Sequence, residues 1–269
     1  MSFFNQVQID QIISFAFEAG EIAAKAQKSG DFTVERKIDN SKVTSADIAV
    51  SKFLDEKLSK NFAGIPIVCE EGNLRHVAGD VFWLIDPIDG TSAFASGNNE
   101  FCVNIALIKN NKPIFGLIYA PNFDGGKMAV TNAQGDVVII DKSGAIKPLQ
   151  PSPANFETLK IVTSNKTKDY EIANFLTQFY PQFQNNFSVQ HLSAAVKFFP
   201  LLENSANLYL AFRNMMEWDT AAGHALIEAA GGKLKSLTLQ DSLYVIGDDL
   251  RYNKTNFVNS FFACYRTLP

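Results

Sequence analysis

An apolar run that ends in two acids constrains the fold of this chain most. Residues 81–85 are apolar and β-prone, and the run is long enough for a buried strand. Pro87 fixes its own φ and disfavours a helical conformation for Asp86, so the sequence predicts that the strand breaks at Asp86. Asp86 and Asp89 would then both reach into one concavity at the end of the strand.

The two residues after Asp89 are compatible with phosphate binding. Gly90 allows a ligand close to the backbone, and Thr91 is predicted to cap the helical turn that follows, which offers a hydroxyl and free N–H groups. The alternative is an ordinary surface turn, because Asp, Pro and Gly are the usual turn residues. In isolation the two interpretations are equally good, and two further acidic segments favour the first.

Those two segments also place acids where an element begins or ends. The apolar run 65–69 stops at Glu70 and Glu71, which repeats the pattern of a strand followed by acids. Asp219 precedes a run of small residues that ends at Gly231, a pattern that predicts a helix with Asp219 as its N-cap. Taken singly, the alternatives for these segments are a solvated charge pair and an ordinary helix cap.

Convergence of these acids would require cations. If Glu70, Asp86, Asp89 and Asp219 lie together, their like charges force protonation or unfolding unless metal ions compensate them. All are hard oxygen donors, and the sequence has no Cys or His cluster at zinc spacing, so Mg²⁺ is the expected metal. Because Mg²⁺ takes few carboxylates per ion and binds beside substrate phosphates, the acids favour two ions and hydrolysis of a phosphate ester.

Three segments resemble the signature motifs of the inositol monophosphatase superfamily of lithium-sensitive, magnesium-dependent phosphatases: those around Glu70, at 86–91 and at 218–225. Residues 39–47 resemble the N-terminal segment of that family, and the likeness covers nearly the whole chain. Residues 98–108 and 112–121 are most similar to its CysQ-type 3'(2'),5'-bisphosphate nucleotidase branch. The resemblance implies an α+β / α/β chain folded as a two-lobed αβαβα layered sandwich, the sugar-phosphatase fold, with the site between the lobes.

The resemblance also implies a set of metal ligands. Glu70, Asp86 and the backbone carbonyl of Ile88 would hold one metal ion, and Asp86, Asp89 and Asp219 would hold another. Asp86 would bridge the two ions. The expected cofactor is therefore Mg²⁺, as two or three ions.

Catalytic and phosphate-binding roles follow from the same resemblance. Glu70 and Thr91 would orient and deprotonate the attacking water, and Asp47 would hold Thr91 by a hydrogen bond. The N–H groups of Gly90 and Thr91 would bind phosphate oxygens. Positioning and electrostatic stabilisation would supply most of the catalysis.

Departures from the family patterns bear on the substrate. Residues 92–94 are Ser-Ala-Phe where the nucleotidase branch usually has Lys-Glu-Phe, and Ser193 with Ala194 departs from a Gly followed by a hydroxyl residue. Ala211 replaces the acid that contacts the inositol ring in true inositol monophosphatases, which argues against inositol phosphate. Two cations remain as candidates for a second phosphate, with solvated or helix-stem charges as the alternative interpretation: Lys197 and Arg213.

The predicted activity is hydrolysis of adenosine 3',5'-bisphosphate to AMP and phosphate by metal-activated water. Inositol monophosphate or another sugar phosphate is the alternative substrate. A protein that keeps the fold and senses metal or a phosphorylated metabolite without catalysis is the alternative class. Such a relative is expected to lose a ligand or the water-activating threonine. This sequence keeps all six of these residues: Asp47, Glu70, Asp86, Asp89, Thr91 and Asp219.

The chain is predicted to have two lobes, with the boundary in the proline-interrupted segment 147–155. Residues 1–150 would form an α+β lobe with most metal ligands, and residues 151–269 an α/β lobe with Asp219 and the substrate contacts. The patterns predict helices at 7–28, 45–62, 168–179, 194–203 and 220–230. They predict strands at 65–69, 81–86, 101–108, 113–119, 137–140, 159–163 and 206–212.

Composition limits the partners and the compartment. A net charge of −4 gives no basic footprint for a nucleic acid polymer, and no apolar run is long enough to span a membrane. The first 28 residues have the pattern of an amphipathic helix rather than a signal peptide. Three cysteines inside apolar stretches indicate buried free thiols and a cytoplasmic protein. The expected partner is a small phosphorylated metabolite, and a homodimer remains open.

Overall fold

The structure, a computed structural model, describes residues 3–37, 40–72, 79–152 and 156–267. The helices in these ranges are α1 (Gln6–Ser29), α2 (Ser45–Asn61), α3 (Thr91–Ala95), α4 (Asp169–Phe179), α5 (Phe198–Leu202) and α6 (Glu217–Ala229). The strands up to residue 148 are β1 (Val34–Arg36), β2 (Lys42–Thr44), β3 (Ile67–Cys69), β4 (Val81–Asp89), β5 (Cys102–Lys109), β6 (Lys112–Ala120), β7 (Lys127–Thr131), β8 (Val137–Asp141) and β9 (Ile146–Pro148). The later strands are β10 (Leu159–Ser164), β11 (Phe187–Leu192), β12 (Leu208–Ala211), β13 (Met215–Met216), β14 (Lys233–Gln240), β15 (Leu243–Asp249), β16 (Val258–Asn259) and β17 (Phe261–Tyr265).

A seven-stranded sheet, in the order β3-β4-β5-β6-β7-β8-β9, carries the first set of acids. β3 runs parallel to β4, and the other neighbours are antiparallel. Both faces of this sheet are buried, which explains the nearly continuous apolar sequence of β5. Successive side chains alternate between the faces, so Val103 and Ile105 pack with α1 and α2 while Cys102 and Ala106 pack with α6.

A second sheet of six strands has the order β11-β10-β12-β17-β14-β15. β10 lies parallel to both β11 and β12, and the remaining neighbours are antiparallel. One face packs on α4 through Phe175 and Leu176. The other face shares a core with α5, α6 and the seven-stranded sheet, to which Tyr209 and Phe262 contribute. The layers therefore run α1/α2, sheet, α5/α6, sheet, α4.

Several predicted elements are confirmed. The helices predicted at 7–28, 45–62 and 168–179 are α1, α2 and α4, with ends within one residue of the prediction. The strands predicted at 101–108 and 113–119 are β5 and β6, which form a hairpin whose two central residues, Asn110 and Asn111, both have positive φ. β7 and β8 form a second hairpin, and in its loop at 132–136 only Gly135 has positive φ.

The prediction that the strand breaks at Asp86 is wrong. β4 continues to Asp89, and its register against β5 shifts between a pair at Asp86 and a pair at Asp89. The shift inserts one extra residue, which makes a β-bulge. Pro87 is tolerated there because its fixed φ lies in the strand range and a bulge needs no ladder N–H from it.

Other helix starts also differ from the predictions. Thr91 is the first residue of α3, and Gly90, with φ 90°, is the N-cap, so Thr91 makes no cap hydrogen bond. Asp219 is the third residue of α6, whose N-cap is Met216. The helix predicted from residue 194 is a 3-10 turn followed by the five residues of α5.

The remaining strands were not predicted from the sequence. β1 and β2 form a small hairpin ahead of α2, and β11, β14, β15 and β17 complete the second sheet. The predicted boundary segment includes β9, and residues 153–155 lie outside the described residues. The division into two lobes stays a prediction. None of the helices in the described ranges is long and apolar enough to cross a membrane.

Candidate active site

A cavity of about 630 Å³ lies where the two sheets meet. The end of β4 and the start of α3 form one wall, and residues from the β1–β2 hairpin border it. The opposite wall comes from the segments that follow β10, β11 and β12. Because these three strands are parallel, their carboxyl ends meet at one edge of the sheet, which is where ligands bind in open α/β sheets.

Three of the four predicted acids converge in this cavity. Single carboxylate oxygens of Asp86, Asp89 and Asp219 all lie within 4.8 Å of one another. Asp86 and Asp89 are buried, with Asp86 only 1% exposed, and Asp219 is half-buried. Glu70 lines the same cavity but is not one of these three, and its Oε1 accepts a hydrogen bond from Lys37 Nζ at 2.8 Å.

Hydrogen bonds fix the orientation of these carboxylates. The Oδ2 atom of Asp89 accepts from Asn104 Nδ2 at 3.1 Å and from the backbone N–H of Ala195 at 2.6 Å. The Oδ2 atom of Asp219 accepts from the N–H of Met216 at 2.9 Å. The Oδ1 atom of Asp86 is buried and has no hydrogen-bond partner among the described residues.

A buried carboxylate oxygen without a partner is costly unless a cation compensates it. Burial raises the pKa of Asp86 well above its usual range, and the charges of Glu70, Asp89 and Asp219 raise it further. Burial likewise raises the pKa of Asp219, with added repulsion from Asp89 and Glu70. The donors are all oxygen and the group is pre-assembled, which fits a hard divalent ion such as Mg²⁺.

A hydroxyl–carboxylate pair lies beside the acids. Thr91 Oγ1 is 3.1 Å from Asp47 Oδ1 and 3.2 Å from the carbonyl oxygen of Ile88, and its one hydrogen is directed at these acceptors. Asp47, in the first turn of α2, is held in turn by Thr44, whose N–H donates to Asp47 Oδ2 at 2.8 Å. The predicted contact between Asp47 and Thr91 is therefore present.

Gly90 is required by its surroundings. Its φ of 90° is a conformation that other residues rarely adopt, and a Cβ at this position would lie 2.8 Å from the carbonyl oxygen of Glu100. The backbone of residues 90–91 can therefore approach a ligand closely on the cavity side.

The two cations predicted to bind a second phosphate both line the cavity, in different environments. Lys197 is 3% exposed, and its Nζ donates to the carbonyl oxygen of Ala194. Arg213 has a side chain that is 46% exposed, forms an ion pair with Glu171 at 3.2 Å, and donates from Nη2 to the carbonyl oxygen of Lys166 at 3.1 Å.

Sequence reasoning missed four residues that the fold brings to the site: Lys37, Asn104, Lys166 and Ala195. Asn104 carried a signal, because it is a polar residue inside the otherwise apolar run of β5. Ala195 carried none, because its contribution is a backbone N–H placed by a turn.

Comparisons with known proteins agree with this geometry. The model of the inositol monophosphatase family matches residues 5–260. The 3'(2'),5'-bisphosphate nucleotidase CysQ of Buchnera aphidicola is 33% identical over 262 residues, which cover 94% of this chain and 92% of that protein. The CysQ of Escherichia coli (strain K12) is 33% identical over 83% of this chain and 88% of its own length.

Solved structures show the same fold. CysQ from Bacteroides thetaiotaomicron, described as a bacterial member of the inositol monophosphatase family, superposes with a TM-score of 0.78 at 26% identity and covers 99% of both chains. Inositol monophosphatase from Anabaena (Nostoc) sp. superposes with a TM-score of 0.66 at 22% identity, over 97% of this chain and 91% of that one. The predicted layered fold is confirmed, and the chain belongs to the inositol monophosphatase family.

Proposed function

We propose that this protein is a Mg²⁺-dependent phosphomonoesterase that removes the 3'-phosphate of adenosine 3',5'-bisphosphate to give AMP and phosphate. The observation that carries the proposal is the convergence of the buried carboxylates of Asp86 and Asp89 with the half-buried carboxylate of Asp219 in one cavity. The names of the CysQ relatives support the choice of a bisphosphorylated nucleotide over other phosphate esters.

The three converging acids would hold the metal, with Asp86 as the bridging ligand. Glu70 and the carbonyl oxygen of Ile88 line the same cavity and would complete a set for two or three Mg²⁺ ions. When bound, Mg²⁺ would lower the pKa of a coordinated water and neutralise charge on the phosphate. Lys37 would compensate part of the charge of Glu70 and Glu71, since it pairs with both carboxylates.

Side chains of the site have roles that follow from their hydrogen bonds. Because the hydrogen of Thr91 Oγ1 is directed at Asp47 and at Ile88, the hydroxyl oxygen keeps lone pairs with which to orient an attacking water. Glu70 would accept the proton of that water. The N–H groups of Gly90 and Thr91 would bind phosphate oxygens at the start of α3.

The second phosphate of the nucleotide would meet the wall that follows β10 and β12. Arg213 lines that wall, and its guanidinium supports the turn of Lys166. Lys166 is exposed, lines the same cavity and forms no ion pair among the described residues, so its ammonium is available to a phosphate. Ala211 offers no acceptor for an inositol ring.

A phosphate-release assay tests the proposal. Purified protein would be offered adenosine 3',5'-bisphosphate, inositol monophosphates and fructose 1,6-bisphosphate, each with Mg²⁺, with EDTA, and with Mg²⁺ plus millimolar Li⁺. We expect the nucleotide to be hydrolysed best, no hydrolysis in EDTA, and inhibition by Li⁺. Full activity in EDTA would contradict the metal-dependent mechanism. If no phosphate ester is hydrolysed, the result would favour a binding protein without catalytic activity.

The proposal includes a cytoplasmic location. Its support is that Cys69, Cys102 and Cys264 are all free and buried, as expected in a reducing compartment. A homodimer stays a prediction, which the elution volume in size-exclusion chromatography with light scattering would decide.

A further inference from the structure

The turn between β11 and α5 has a strained backbone that touches the proposed metal site. Ala194 has φ 50° and ψ −171°, a combination close to the region that glycine alone adopts freely. Strain of this kind persists only where neighbouring contacts hold it. Gly90 packs directly on this turn, since a Cβ at Gly90 would lie 3.0 Å from the Cβ of Ala194.

The next residue of the turn reaches a metal-site acid. The N–H of Ala195 donates to Asp89 Oδ2 at 2.6 Å, which joins segments 106 residues apart in the sequence. Asn104 Nδ2 donates to the same oxygen at 3.1 Å and Cys102 Sγ lies 4.0 Å from it, so these contacts fix the Oδ2 side of the carboxylate. The conformation at Ala194 therefore contributes to the orientation of Asp89, because it places the Ala195 N–H.

Lys197 stabilises this turn by a hydrogen bond to its backbone. Its Nζ donates to the carbonyl oxygen of Ala194, and its ammonium lies 5.6 Å from the centre of the Tyr209 ring. The side chain is almost fully buried, so its ammonium makes its contacts inside the protein. Lys166, on the same wall of the cavity, has the exposure that a phosphate contact needs.

We propose that Lys197 is a positioning residue for the metal site: its ammonium maintains the strained turn at Ala194, so that the Ala195 N–H orients Asp89. This inference rests on the proposed function only for its kinetic readout. It differs from a role in binding the second phosphate, because loss of Lys197 would weaken Mg²⁺ binding with every substrate and also without one.

The test is the variant Lys197→Met, which keeps the length and apolar stem of the side chain but removes the ammonium. Mg²⁺ binding to wild type and variant is measured by isothermal titration calorimetry without substrate. We expect Mg²⁺ affinity to fall by about 10-fold, the lower end of the range seen when a direct hydrogen-bond partner of a metal ligand is removed, because Lys197 acts on Asp89 through the turn. An unchanged Mg²⁺ affinity would overturn the inference.

A kinetic comparison separates positioning from phosphate binding. kcat and KM are measured at saturating Mg²⁺ with adenosine 3',5'-bisphosphate and with adenosine 3'-monophosphate. We expect the ratio of the two kcat/KM values to be the same in wild type and Lys197→Met, because both substrates use the same metal site. A rise in KM for the bisphosphate alone would overturn the inference in favour of a phosphate contact.

A second pair of variants keeps the test decisive if Lys197→Met folds poorly. Glycine adopts the Ala194 conformation without strain, so Ala194→Gly should make the turn less dependent on Lys197. We expect the loss of Mg²⁺ affinity caused by Lys197→Met to be smaller in the Ala194→Gly background, a coupling that a double-mutant cycle measures. Equal losses in both backgrounds would contradict the role of the turn. A wild type that binds Mg²⁺ but hydrolyses nothing would refute the proposed function alone.

Discussion

Asp86 lies at the β-bulge of β4 and has the most demanding environment of the three converging acids. Its buried Oδ1 has no partner among the described residues, and the other carboxylates surround it. We expect Asp86→Asn to lower hydrolysis more than tenfold, because a neutral amide cannot bridge two cations. The metal-free variant should unfold at an equal or higher temperature than the wild type, since like-charge repulsion is removed. Retention of more than about a tenth of the wild-type rate would contradict the bridging role.

The same acids predict a pH dependence of stability. Burial and mutual repulsion raise the pKa of Asp86 and of Asp219 in the folded state, whereas an exposed Asp titrates near pH 3.9. The folded protein therefore holds protons that the unfolded chain releases, so metal-free stability should fall as the pH rises above about 4.

Differential scanning fluorimetry in EDTA between pH 5 and 8 would measure this trend. Two controls apply: added Mg²⁺ should reduce the slope of Tm against pH, and Asp86→Asn should flatten it in EDTA. A Tm in EDTA that rises across this interval in the wild type would show that other groups dominate the protonation balance.

At the scale of elements, the position of α6 determines where Asp219 lies. α6 packs on the seven-stranded sheet at Gly116 of β6, where a Cβ would overlap the carbonyl oxygen of Ala222. We expect Gly116→Ala to push α6 away from the sheet, to lower Tm, and to weaken Mg²⁺ binding because Asp219 moves with its helix.

The matched control is Leu54→Ala in α2. Leu54 is fully buried in the core on the other face of the sheet, and its truncation costs about 2 to 5 kcal/mol of stability. It should therefore lower Tm and leave Mg²⁺ affinity, measured by calorimetry on the folded protein, nearly unchanged. An equal loss of Mg²⁺ affinity in both variants would mean that general destabilisation, rather than the position of α6 on the sheet, lowers the affinity.

Substrate choice belongs to the whole molecule, because the two walls of the cavity come from different sheets. A charge-assisted contact to phosphate contributes about 1.5 to 3 kcal/mol, and the cavity offers no acidic contact for an inositol ring at Ala211. Adenosine 3',5'-bisphosphate should exceed inositol 1-phosphate in kcat/KM by about tenfold or more.

Lys166→Ala should reduce the ratio of kcat/KM for adenosine 3',5'-bisphosphate to kcat/KM for inositol 1-phosphate, because the nucleotide would bind less tightly. Lys168→Ala is the control, because Lys168 is an exposed lysine close in the chain that does not line the cavity. A better rate with inositol 1-phosphate in the wild type would contradict the nucleotidase assignment. An unchanged ratio of the two kcat/KM values in Lys166→Ala would contradict the proposal that Lys166 binds the second phosphate.

Much of the fold could be predicted from the sequence, because many of its helices and strands are determined by the pattern of neighbouring residues. The helical patterns of α1 and α2 and the apolar runs of β5 and β6 each depend on neighbouring residues, and these elements are present as predicted. Two strands of the second sheet, β11 and β15, were missed because they lie at its edges, have mostly exposed side chains and lack a continuous apolar pattern.

The sequence by itself determined which acids could form a site, since their residue types and motifs limit the chemistry to hard cations and phosphate. Only the tertiary structure decided how each acid is oriented. The bulge at Asp86, the amide of Asn104 and the N–H of Ala195 act across strands or between sheets, so no local pattern encodes them. Tertiary packing likewise buried Lys197 and left Lys166 exposed, because burial depends on neighbours that are distant in the chain.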